Sequence, residues 1–385
     1  MKHILKCHEI VKTDFVHGEN CYLFDGQGNR FIDFESGIWC TALGYSHPRI
    51  NQIIHAQIDK VIHLGTRYPN ILAEEAAIEI LDIAGFDNGK CVFLSSGSEA
   101  VELGVQIARR CSERSSLLAF SNSYLAAFGS AGRKSSHEWF LFDWSACASE
   151  NLSECSKEIP FESIGAFVFE PGGSGLGFVK FPPEQLVQDI SQRVKQEGGL
   201  LVANEVTTGM GRTGKWFGFQ HYDIEPDIIA LGKGLGNGYP VSAVVMRTDT
   251  AEKLEKSGFH YVQSHQNDPL GCAVAREVIA VLREENLIER GNAIGIFFLE
   301  GLNRLVEKYA VLREARGRGL LLGLEFFPHE RITVEWVYHA LLKRGFLAGY
   351  YPAGNVLRFD PALTVEKKDV SHLLACLDEI LENTV

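Results

Sequence analysis

Lys233 is the residue whose surroundings most directly indicate chemistry. It follows a short apolar run over residues 228–231, which is typical of a buried strand, and it stands in a glycine-rich turn. Burial disfavours the charged form of an amine, so a lysine at the end of a buried strand is driven toward its neutral, nucleophilic form. A neutral lysine can form a Schiff base with an aldehyde. The alternative for this segment alone is a loop lysine that reaches solvent.

A second segment offers a place for an anion. Residues 93–98 lead from a short apolar strand through small residues into a helix that begins near Glu99. The free N–H groups and the dipole of a helix N-terminus attract phosphate, and Ser96 and Ser98 add hydroxyl donors. The alternative is an ordinary helix N-cap formed by one of the two serines, with Glu99 in the first turn.

Polar residues also follow the apolar strand predicted over residues 200–203. Asn204, Glu205 and Thr207 come after this strand, and in an open α/β sheet the carboxyl ends of the strands line the ligand crevice. The next segment nearly matches a nucleotide-binding P-loop, but Trp216 stands where a Ser or Thr must bind magnesium. A nucleotide site is therefore rejected, whereas a ligand beside Asn204 and Thr207 is expected.

The elements that must position these residues indicate an α/β fold. From about residue 50 to 280, predicted strands alternate with segments of helical periodicity, such as residues 99–110 and 183–198. This alternation predicts a mostly parallel sheet covered by helices. Residues 21–34 predict a β-hairpin, and the pattern after about residue 280 is that of a smaller α+β lobe.

The composition limits the classes of function. The chain of 385 residues has a formal charge of −12, which argues against nucleic acid or an anionic membrane as the main partner. No segment approaches the apolar length of a membrane span, and the N-terminus has no apolar stretch of signal-peptide length. The nine cysteines form no C-x-x-C pair, which predicts free thiols in a reducing cytoplasm. No metal site is predicted.

These motifs together resemble one family, the class III aminotransferases. The residues that carry the resemblance are Asn204, Glu205, Val206, Gly209, Gly211, Arg212, Thr213 and Gly214, followed by Pro226, Asp227, Ile228, Gly232, Lys233 and Gly234. Further matches extend from residues 37–48 to residues 356–361. The family depends on pyridoxal 5′-phosphate (PLP) and includes acetylornithine, ornithine and 4-aminobutyrate aminotransferases.

The resemblance implies the architecture of PLP fold-type I enzymes. Residues 50–280 are expected to form a large PLP-binding domain with a mostly parallel, seven-stranded sheet. Residues 1–49 and 281–385 are expected to form a small α+β domain from both ends of the chain. Relatives work as homodimers with active sites at the subunit interface, so a homodimer is expected here as well.

The resemblance also implies a role for each matching residue. Lys233 matches the lysine that forms the internal aldimine with PLP and later moves the proton between the substrate Cα and the cofactor C4′. Arg358 matches an arginine that holds a substrate α-carboxylate through two parallel hydrogen bonds. The residues implied to contact PLP are Gly97 and Ser98 at the phosphate, Tyr124 and Val206 on the two ring faces, Asn204 at the pyridine nitrogen, Thr207 near the ring hydroxyl, and Ser264 at the phosphate of the neighbouring subunit. Trp39 lies near the implied substrate entrance, where it either shapes an apolar pocket or packs in the core.

Three positions depart from the family pattern. Asn204 replaces an aspartate that keeps the pyridine nitrogen protonated, so a less electrophilic ring is expected, either as tuned chemistry or as neutral drift. Gly175 stands where many relatives have a glutamate that covers the carboxylate-binding arginine, so Arg358 is expected to stay uncovered and to favour substrates with an α-carboxylate. Ala127 stands where ornithine and acetylornithine enzymes have a carboxylate-binding arginine, which argues against those two activities.

The sequence therefore predicts a cytoplasmic, homodimeric, PLP-dependent aminotransferase. It would move an amino group from an amino acid donor to a keto acid or aldehyde acceptor through Lys233. One alternative is a PLP-dependent racemase, epimerase or decarboxylase on the same fold, which a less electron-poor ring could suit. Another is a non-catalytic PLP-binding protein, which the loss of the ring aspartate suggests.

Overall fold

The computed structural model describes residues 3–7, 10–146, 155–173, 178–351 and 354–382. The strands are β1 (Phe15–Glu19), β2 (Tyr22–Asp25), β3 (Arg30–Asp33), β4 (Lys90–Leu94), β5 (Ser116–Phe120), β6 (Trp139–Phe142), β7 (Ile164–Phe169), β8 (Leu200–Asn204), β9 (Ile228–Leu231), β10 (Ser242–Met246), β11 (Leu312–Arg318), β12 (Leu321–Phe326), β13 (Phe346–Leu347), β14 (Gly349–Tyr351) and β15 (Val356–Phe359). The helices are α1 (Pro48–Ile58), α2 (Ile71–Ala84), α3 (Gly97–Ser112), α4 (Gly129–Arg133), α5 (Glu184–Gln196), α6 (Thr248–Lys256), α7 (Pro269–Glu284), α8 (Leu287–Lys308), α9 (Val334–Leu342) and α10 (Lys367–Glu382).

Seven strands form the central sheet, in the order β4-β10-β9-β8-β7-β5-β6. All of them run in one direction except β10, which is antiparallel to both of its neighbours. The inner strands β7, β9 and β10 are buried along their whole length, which explains why they read as continuous apolar runs without alternation. The mostly parallel, seven-stranded sheet predicted from the sequence is thus confirmed.

Two smaller sheets are built from the ends of the chain. The hairpin β2-β3, predicted over residues 21–34, is confirmed, and β13 from the C-terminal part pairs in parallel with β3. The other sheet has the order β11-β12-β15-β14 and is antiparallel throughout. Through β13 the two ends of the chain share one sheet, so residues far apart in sequence become neighbours.

An aromatic cluster holds the start and the end of the chain together. The ring of Phe34 lies 5.8 Å from that of Phe298 and 6.5 Å from that of Phe359, measured between centroids, and all three residues are fully buried. Edge-to-face contacts of this kind add to the stability gained from burial. Because Glu35 follows Phe34 and Arg358 precedes Phe359, the cluster also places these two charged residues close to each other.

Two further findings concern the described part of the chain. Among the described residues, no helix combines the length and the apolar character needed to cross a bilayer. The cysteines in the same part of the chain are free thiols, namely Cys7, Cys21, Cys40, Cys91, Cys111, Cys155, Cys272 and Cys376.

Candidate active site

The carboxyl ends of three neighbouring strands bring the predicted site residues Asn204 and Lys233 to one edge of the sheet, together with Glu170. Strand β7 ends at Phe169, directly before Glu170; β8 ends at Asn204; and β9 ends at Leu231, two residues before Lys233. These strands are adjacent and parallel in the sheet, so the residues that follow them lie along one edge.

Lys233 stands at this edge in a constrained position. Its φ of 45° lies in the left-handed region, and its Nζ donates a 3.0 Å hydrogen bond to Thr207 Oγ1. The amine also lies 4.4 Å from the centroid of the Trp39 ring. Burial lowers the pKa of Lys233, and the nearby Glu170 carboxylate opposes this only in part. The amine is therefore closer to its neutral form than a surface lysine would be.

The amide of Asn204 is held by the backbone of its neighbours. Its Nδ2 donates to the carbonyl oxygen of Tyr124 at 3.1 Å, and its Oδ1 accepts from the N–H of Val206 at 3.3 Å. These partners define the orientation of the amide, because the opposite orientation would place Oδ1 against a carbonyl oxygen. Asn204 is only 3% exposed, so both contacts are made away from water.

Glu170 is a buried carboxylate for which no role is predicted from the sequence. It is 2% exposed, and its Oε2 accepts a 2.8 Å hydrogen bond from the N–H of Tyr124. The same Tyr124 backbone thus links Glu170 to Asn204. The only signal for Glu170 in the sequence is its position as the first residue after a buried strand.

The hydrogen bonds at the N-terminus of α3 show what Ser96 and Ser98 do there. Ser96 Oγ accepts from the N–H of Glu99 at 3.3 Å, and Glu99 Oε2 accepts from the N–H of Ser96 at 2.7 Å, which is a capping box. Ser96 is thus the N-cap. Ser98 has a different task, since its Oγ accepts a 2.9 Å hydrogen bond from the N–H of Ala127.

Gly97 sits where a side chain could not fit. A Cβ at this position would lie 2.4 Å from Cγ1 of Val206, so only glycine permits this approach of the helix to the β8 end. The N–H groups of Gly97 and Ser98 begin the helix and have no intrahelical acceptor, because the first turn of any helix lacks one. They are available to an anion, as predicted for a phosphate.

Arg358 is an almost fully buried cation with two carboxylate partners. It is 1% exposed; its Nε donates to Asp360 Oδ1 and its Nη2 to Glu35 Oε1, both at 2.8 Å. Its Cζ lies 3.9 Å from the centroid of the Trp39 ring, and its Nη1 has no partner among the described residues. Burial alone would lower the pKa of Arg358, but Asp360 and Glu35 raise it above its ordinary value.

The expectation that Arg358 is uncovered is wrong, because Glu35 contacts it. That expectation rested on Gly175, which lies outside the described residues. A carboxylate from a different part of the chain reaches the guanidinium instead, 323 residues away in sequence. The Asp360 N–H donates to the Phe34 carbonyl oxygen at 2.7 Å, which holds the two segments together, and no local sequence pattern predicts such a contact.

Trp39 is placed by an unusual turn. All four residues of Ser36–Trp39 have positive φ, from 45° to 66°, which is costly for residues other than glycine. The turn is held by Arg212, which donates to Ser36 Oγ at 3.2 Å and to the Leu320 carbonyl at 3.1 Å. The result is a ring, 4% exposed, that contacts both Lys233 and Arg358.

Ser264 lies apart from the other predicted residues. It is exposed on the loop between α6 and α7, and no hydrogen bond in the described part of the chain joins it to the rest of the site. Its neighbour Gln263 donates to Glu99 Oε1 at 2.8 Å, which ties this loop to the start of α3.

The groups assembled here fit PLP. A buried amine with a lowered pKa suits the aldehyde, and the N–H groups of Gly97 and Ser98 suit the phosphate. The absence of a side chain at Gly97 lets the start of the helix approach Val206. Arg358 Nη1 and Trp39 Nε1 are buried donors without a partner among the described residues.

Comparison with known proteins agrees with this site. A family model described as Aminotransferase class-III matches residues 6–381. An acetylornithine aminotransferase of Caldanaerobacter subterraneus is 31% identical and aligns over 99% of this chain and 97% of the relative. An alanine/serine racemase of Pyrococcus horikoshii is 26% identical over 94% of this chain and 84% of the relative. The crystal structure of an S-selective transaminase from Arthrobacter sp. matches with a TM-score of 0.90 and 26% identity, over 100% of this chain and 96% of that one.

The family match extends over almost the whole chain, and the fold is that of PLP fold-type I transaminases. With a buried amine at the strand edge and the N-terminus of α3 beside it, the chain belongs to the class III aminotransferase family and is a PLP-dependent aminotransferase.

Proposed function

We propose that this aminotransferase takes amino donors that carry an α-carboxylate, with Lys233 as the base and Arg358 as the carboxylate-binding group. One observation carries the proposal: the Lys233 amine and the Arg358 guanidinium contact the same Trp39 ring, at 4.4 and 3.9 Å from its centroid. An α-amino acid has its amino group and its carboxylate on one carbon, so two such neighbouring groups can engage both ends. Arg358 Nη1 supplies the free donor.

The residues around Lys233 define its part in the reaction. When bound, PLP supplies an electron sink for the electron pair left at Cα as the amino donor loses its α-proton. Lys233 Nζ accepts that proton, because burial lowers its pKa, and Thr207 Oγ1 holds Nζ in place through the 3.0 Å hydrogen bond. The N–H groups of Gly97 and Ser98 hold the phosphate.

Asn204, Tyr124 and Val206 are proposed to contact the cofactor ring. Asn204 Nδ2 donates one hydrogen to Tyr124 and keeps a second one, which suits an unprotonated pyridine nitrogen. We therefore expect a weaker electron sink than an aspartate would provide. Tyr124, which is 41% exposed, and Val206 are proposed for the two ring faces.

A homodimer is supported by a set of exposed apolar side chains. They are Ile58, Ile62, Tyr68, Ile71, Ile78, Phe128 and Val262, each at least half exposed. Large apolar side chains exposed in this number are typical of a chain that contacts another protein. Ser264 lies two residues from Val262, so a second copy of the chain on this surface would be contacted by Ser264, as proposed for the partner's phosphate.

We further propose a cytoplasmic location and two domains. The free thiols of the described cysteines suit a reducing compartment. Residues 50–280 form the large domain of this proposal, and residues 1–49 and 281–385 form the small one. The pairing of β3 with β13 supports a small domain made from both ends of the chain.

The donor class is tested with matched pairs of amines. The holoenzyme is mixed with leucine or with 3-methylbutylamine, which has the same side chain and no carboxylate, and also with alanine or ethylamine. Conversion of the cofactor in a single half-reaction is followed by visible absorbance, with no acceptor present. We expect each amino acid to react faster than its matched amine. Equal rates within the pairs would reject Arg358 as the carboxylate-binding group.

The position of the cofactor is tested by covalent mapping. Reduction of the holoenzyme with borohydride and peptide mass analysis should place the pyridoxyl phosphate label on Lys233. The Lys233→Ala variant should lose this label, whereas Lys215→Ala, which changes an exposed lysine on a nearby loop, should keep it. A label on any other lysine of the wild type would refute the assignment.

A racemase is the second candidate, favoured by the similarity to the Pyrococcus horikoshii enzyme and by Asn204. A weaker electron sink stores less charge on the cofactor, which favours return of the proton to Cα over transfer elsewhere. Incubation of the holoenzyme with an L-amino acid and no keto acid separates the two activities. Formation of the D-isomer without a keto acid product would establish the racemase, and a stoichiometric keto acid product would establish transamination.

A further inference from the structure

Two histidines from distant parts of the chain meet at one aspartate, Asp268. His63 lies on the loop between α1 and α2, and His265 lies on the loop before α7. Nδ1 of His63 lies 2.6 Å from Oδ1 of Asp268, and Nδ1 of His265 lies 2.6 Å from Oδ2. Two imidazoles and a carboxylate thus offer three metal-ligating atoms within 4.8 Å of one another. The sequence does not reveal this cluster, because His63 and Asp268 are 205 residues apart.

Asp268 is not used as a helix cap. It is the N-cap residue of α7, a position where an aspartate usually accepts a hydrogen bond from the first turn of the helix. Here its side chain makes no capping hydrogen bond, and each carboxylate oxygen contacts a histidine instead. The Asp268 side chain is 16% exposed, whereas those of His63 and His265 are 45% and 61% exposed. A mostly buried carboxylate therefore faces two rings that have room to adjust.

Hydrogen bonds beside the cluster hold its two loops in place. The N–H of Asn267 donates to the carbonyl oxygen of Phe93 in β4 at 3.0 Å, and its Oδ1 accepts from the N–H of Phe93 at 2.9 Å. Asn70, the N-cap of α2, donates from Nδ2 to the carbonyl oxygen of Asn267 at 2.7 Å. The loops that carry His63 and His265 are therefore attached to each other and to the central sheet by groups other than the histidines.

The ligand set suits a divalent transition-metal ion. Two imidazoles and one carboxylate, with other positions left open, bind Zn²⁺ and its neighbours in the first transition row. With metal–ligand bonds of about 2.0–2.1 Å, a tetrahedral site places its ligand atoms roughly 3.3 Å apart, so each imidazole would move away from the carboxylate by less than ~1 Å. Each imidazole would carry its proton on Nε2, which leaves the Nδ1 lone pair for the metal. A cavity of about 180 Å³, lined by His265 and Asp268, offers room for water molecules that complete the coordination.

We propose that His63, His265 and Asp268 form a binding site for one divalent transition-metal ion, represented by Zn²⁺. The ion bonds to both Nδ1 atoms and to the carboxylate of Asp268, and water fills the remaining positions. It thereby joins the loop before α2 to the loop before α7. The site contains none of the residues assigned to PLP or to the substrate, so it does not depend on the proposed function.

Direct titration with the metal tests the site. The untagged holoenzyme, freed of metal with a chelator, is titrated calorimetrically with Zn²⁺ and, in a separate run, with Mg²⁺, which prefers oxygen ligands. We expect Zn²⁺ to bind at one site per chain and Mg²⁺ not to bind. His63→Ala and His265→Ala should each weaken Zn²⁺ binding at least about 100-fold, because loss of a residue that merely orients a metal ligand already costs about 10–100-fold.

Matched variants separate this site from other places where Zn²⁺ could bind. His339→Ala removes an exposed histidine that also faces a carboxylate, that of Glu335, and Cys7→Ser removes an exposed thiol. Both should bind Zn²⁺ like the wild type. His265→Cys replaces the imidazole with a thiolate, another zinc ligand, and should keep tight binding.

Three results would overturn the proposal. The first is a wild type that binds no Zn²⁺. The second is Zn²⁺ binding by His63→Ala and His265→Ala that is as tight as that of the wild type, since the ion would then lie elsewhere. The third is a loss of binding in His265→Cys as large as that in His265→Ala, because a disturbed loop and not a missing ligand would then be the cause.

Discussion

Lys233 and Arg358 contact the same Trp39 ring, yet their charges are controlled in opposite ways. Burial is the largest influence on both cations, and in both cases it acts against the charged form. For Lys233 it prevails and the pKa falls. For Arg358 the carboxylates of Asp360 and Glu35 overcome it, and the pKa rises.

The difference lies in the partners that each cation contacts. The Lys233 amine donates to the hydroxyl of Thr207, which carries no charge, whereas Arg358 donates to two carboxylates at 2.8 Å. Depth in the protein therefore does not decide whether a cation is a base or a permanent charge. A neutral partner leaves Lys233 free to exchange protons, and charged partners make Arg358 a fixed binding group.

The largest expected effect comes from removing the fully buried partner of Arg358. Asp360→Asn removes the buried carboxylate that accepts from Arg358 Nε, which should cost about 3–5 kcal/mol in free energy of unfolding. Urea unfolding of the apoenzyme measures this. Asp82→Asn makes the same change at an exposed ion pair with Arg283 and should cost less than about 1 kcal/mol. Equal losses in the two variants would mean that burial adds nothing to the Asp360 pair.

The next effect is on substrate choice. Arg358→Lys keeps the charge but loses the planar fork, so kcat/KM for amino acid donors should fall about 100-fold, which corresponds to about 2.7 kcal/mol. Matched amines without a carboxylate should be much less affected. Arg313→Lys, at an exposed arginine, is the control. A uniform loss for both donor classes would show that Arg358 supports the site and does not recognise carboxylates.

The parts of the site that could be predicted are those encoded in short segments. Three short segments each mark the end of a strand: the apolar run before Lys233, the small residues before Glu99 and the polar residues after β8. In a parallel sheet these strand ends meet at one edge. The capping alternative at Ser96 was also visible, because a capping box needs only residues three apart.

What could not be predicted depends on chain packing over long distances. The pairing of Glu35 with Arg358 requires β3 to meet β13 and the ring of Phe34 to meet that of Phe359. The left-handed turn Ser36–Trp39 could not be predicted either, because only one of its four residues is glycine. Arg212, far along the chain, stabilises this strained turn through its hydrogen bond to Ser36 Oγ. A local sequence pattern contains no information about such a distant partner.

A smaller loss of stability is expected when Asn204, at the same sheet edge as Lys233, is changed. Asn204→Asp places a carboxylate oxygen against the Tyr124 carbonyl in a site that is 3% exposed, so the apoenzyme should lose about 2 kcal/mol in unfolding free energy. PLP should restore part of this loss, because a protonated ring nitrogen pairs with the new charge. Asn303→Asp on the exposed face of α8 is the control. An unchanged apoenzyme would show that the hydrogen bond to Tyr124 does not hold the amide.

The smallest effect is a difference in pH dependence between the reaction of Lys233 and carboxylate binding by Arg358. Between pH 8 and 10, the rate at which the apoenzyme captures PLP should rise by up to about tenfold per pH unit as Lys233 loses its proton. It should level off below pH 10.5, the ordinary pKa of lysine, because burial lowers that of Lys233. The Kd of 4-methylpentanoate should stay constant over this range, since Arg358 remains charged and Glu35, with a pKa of about 7, is already ionised. The reaction of PLP with N-acetyl-lysine amide provides the reference curve. A capture rate that follows this reference up to pH 10.5 would mean that the amine of Lys233 is as basic as one in water, and the contrast with Arg358 would lose its physical cause.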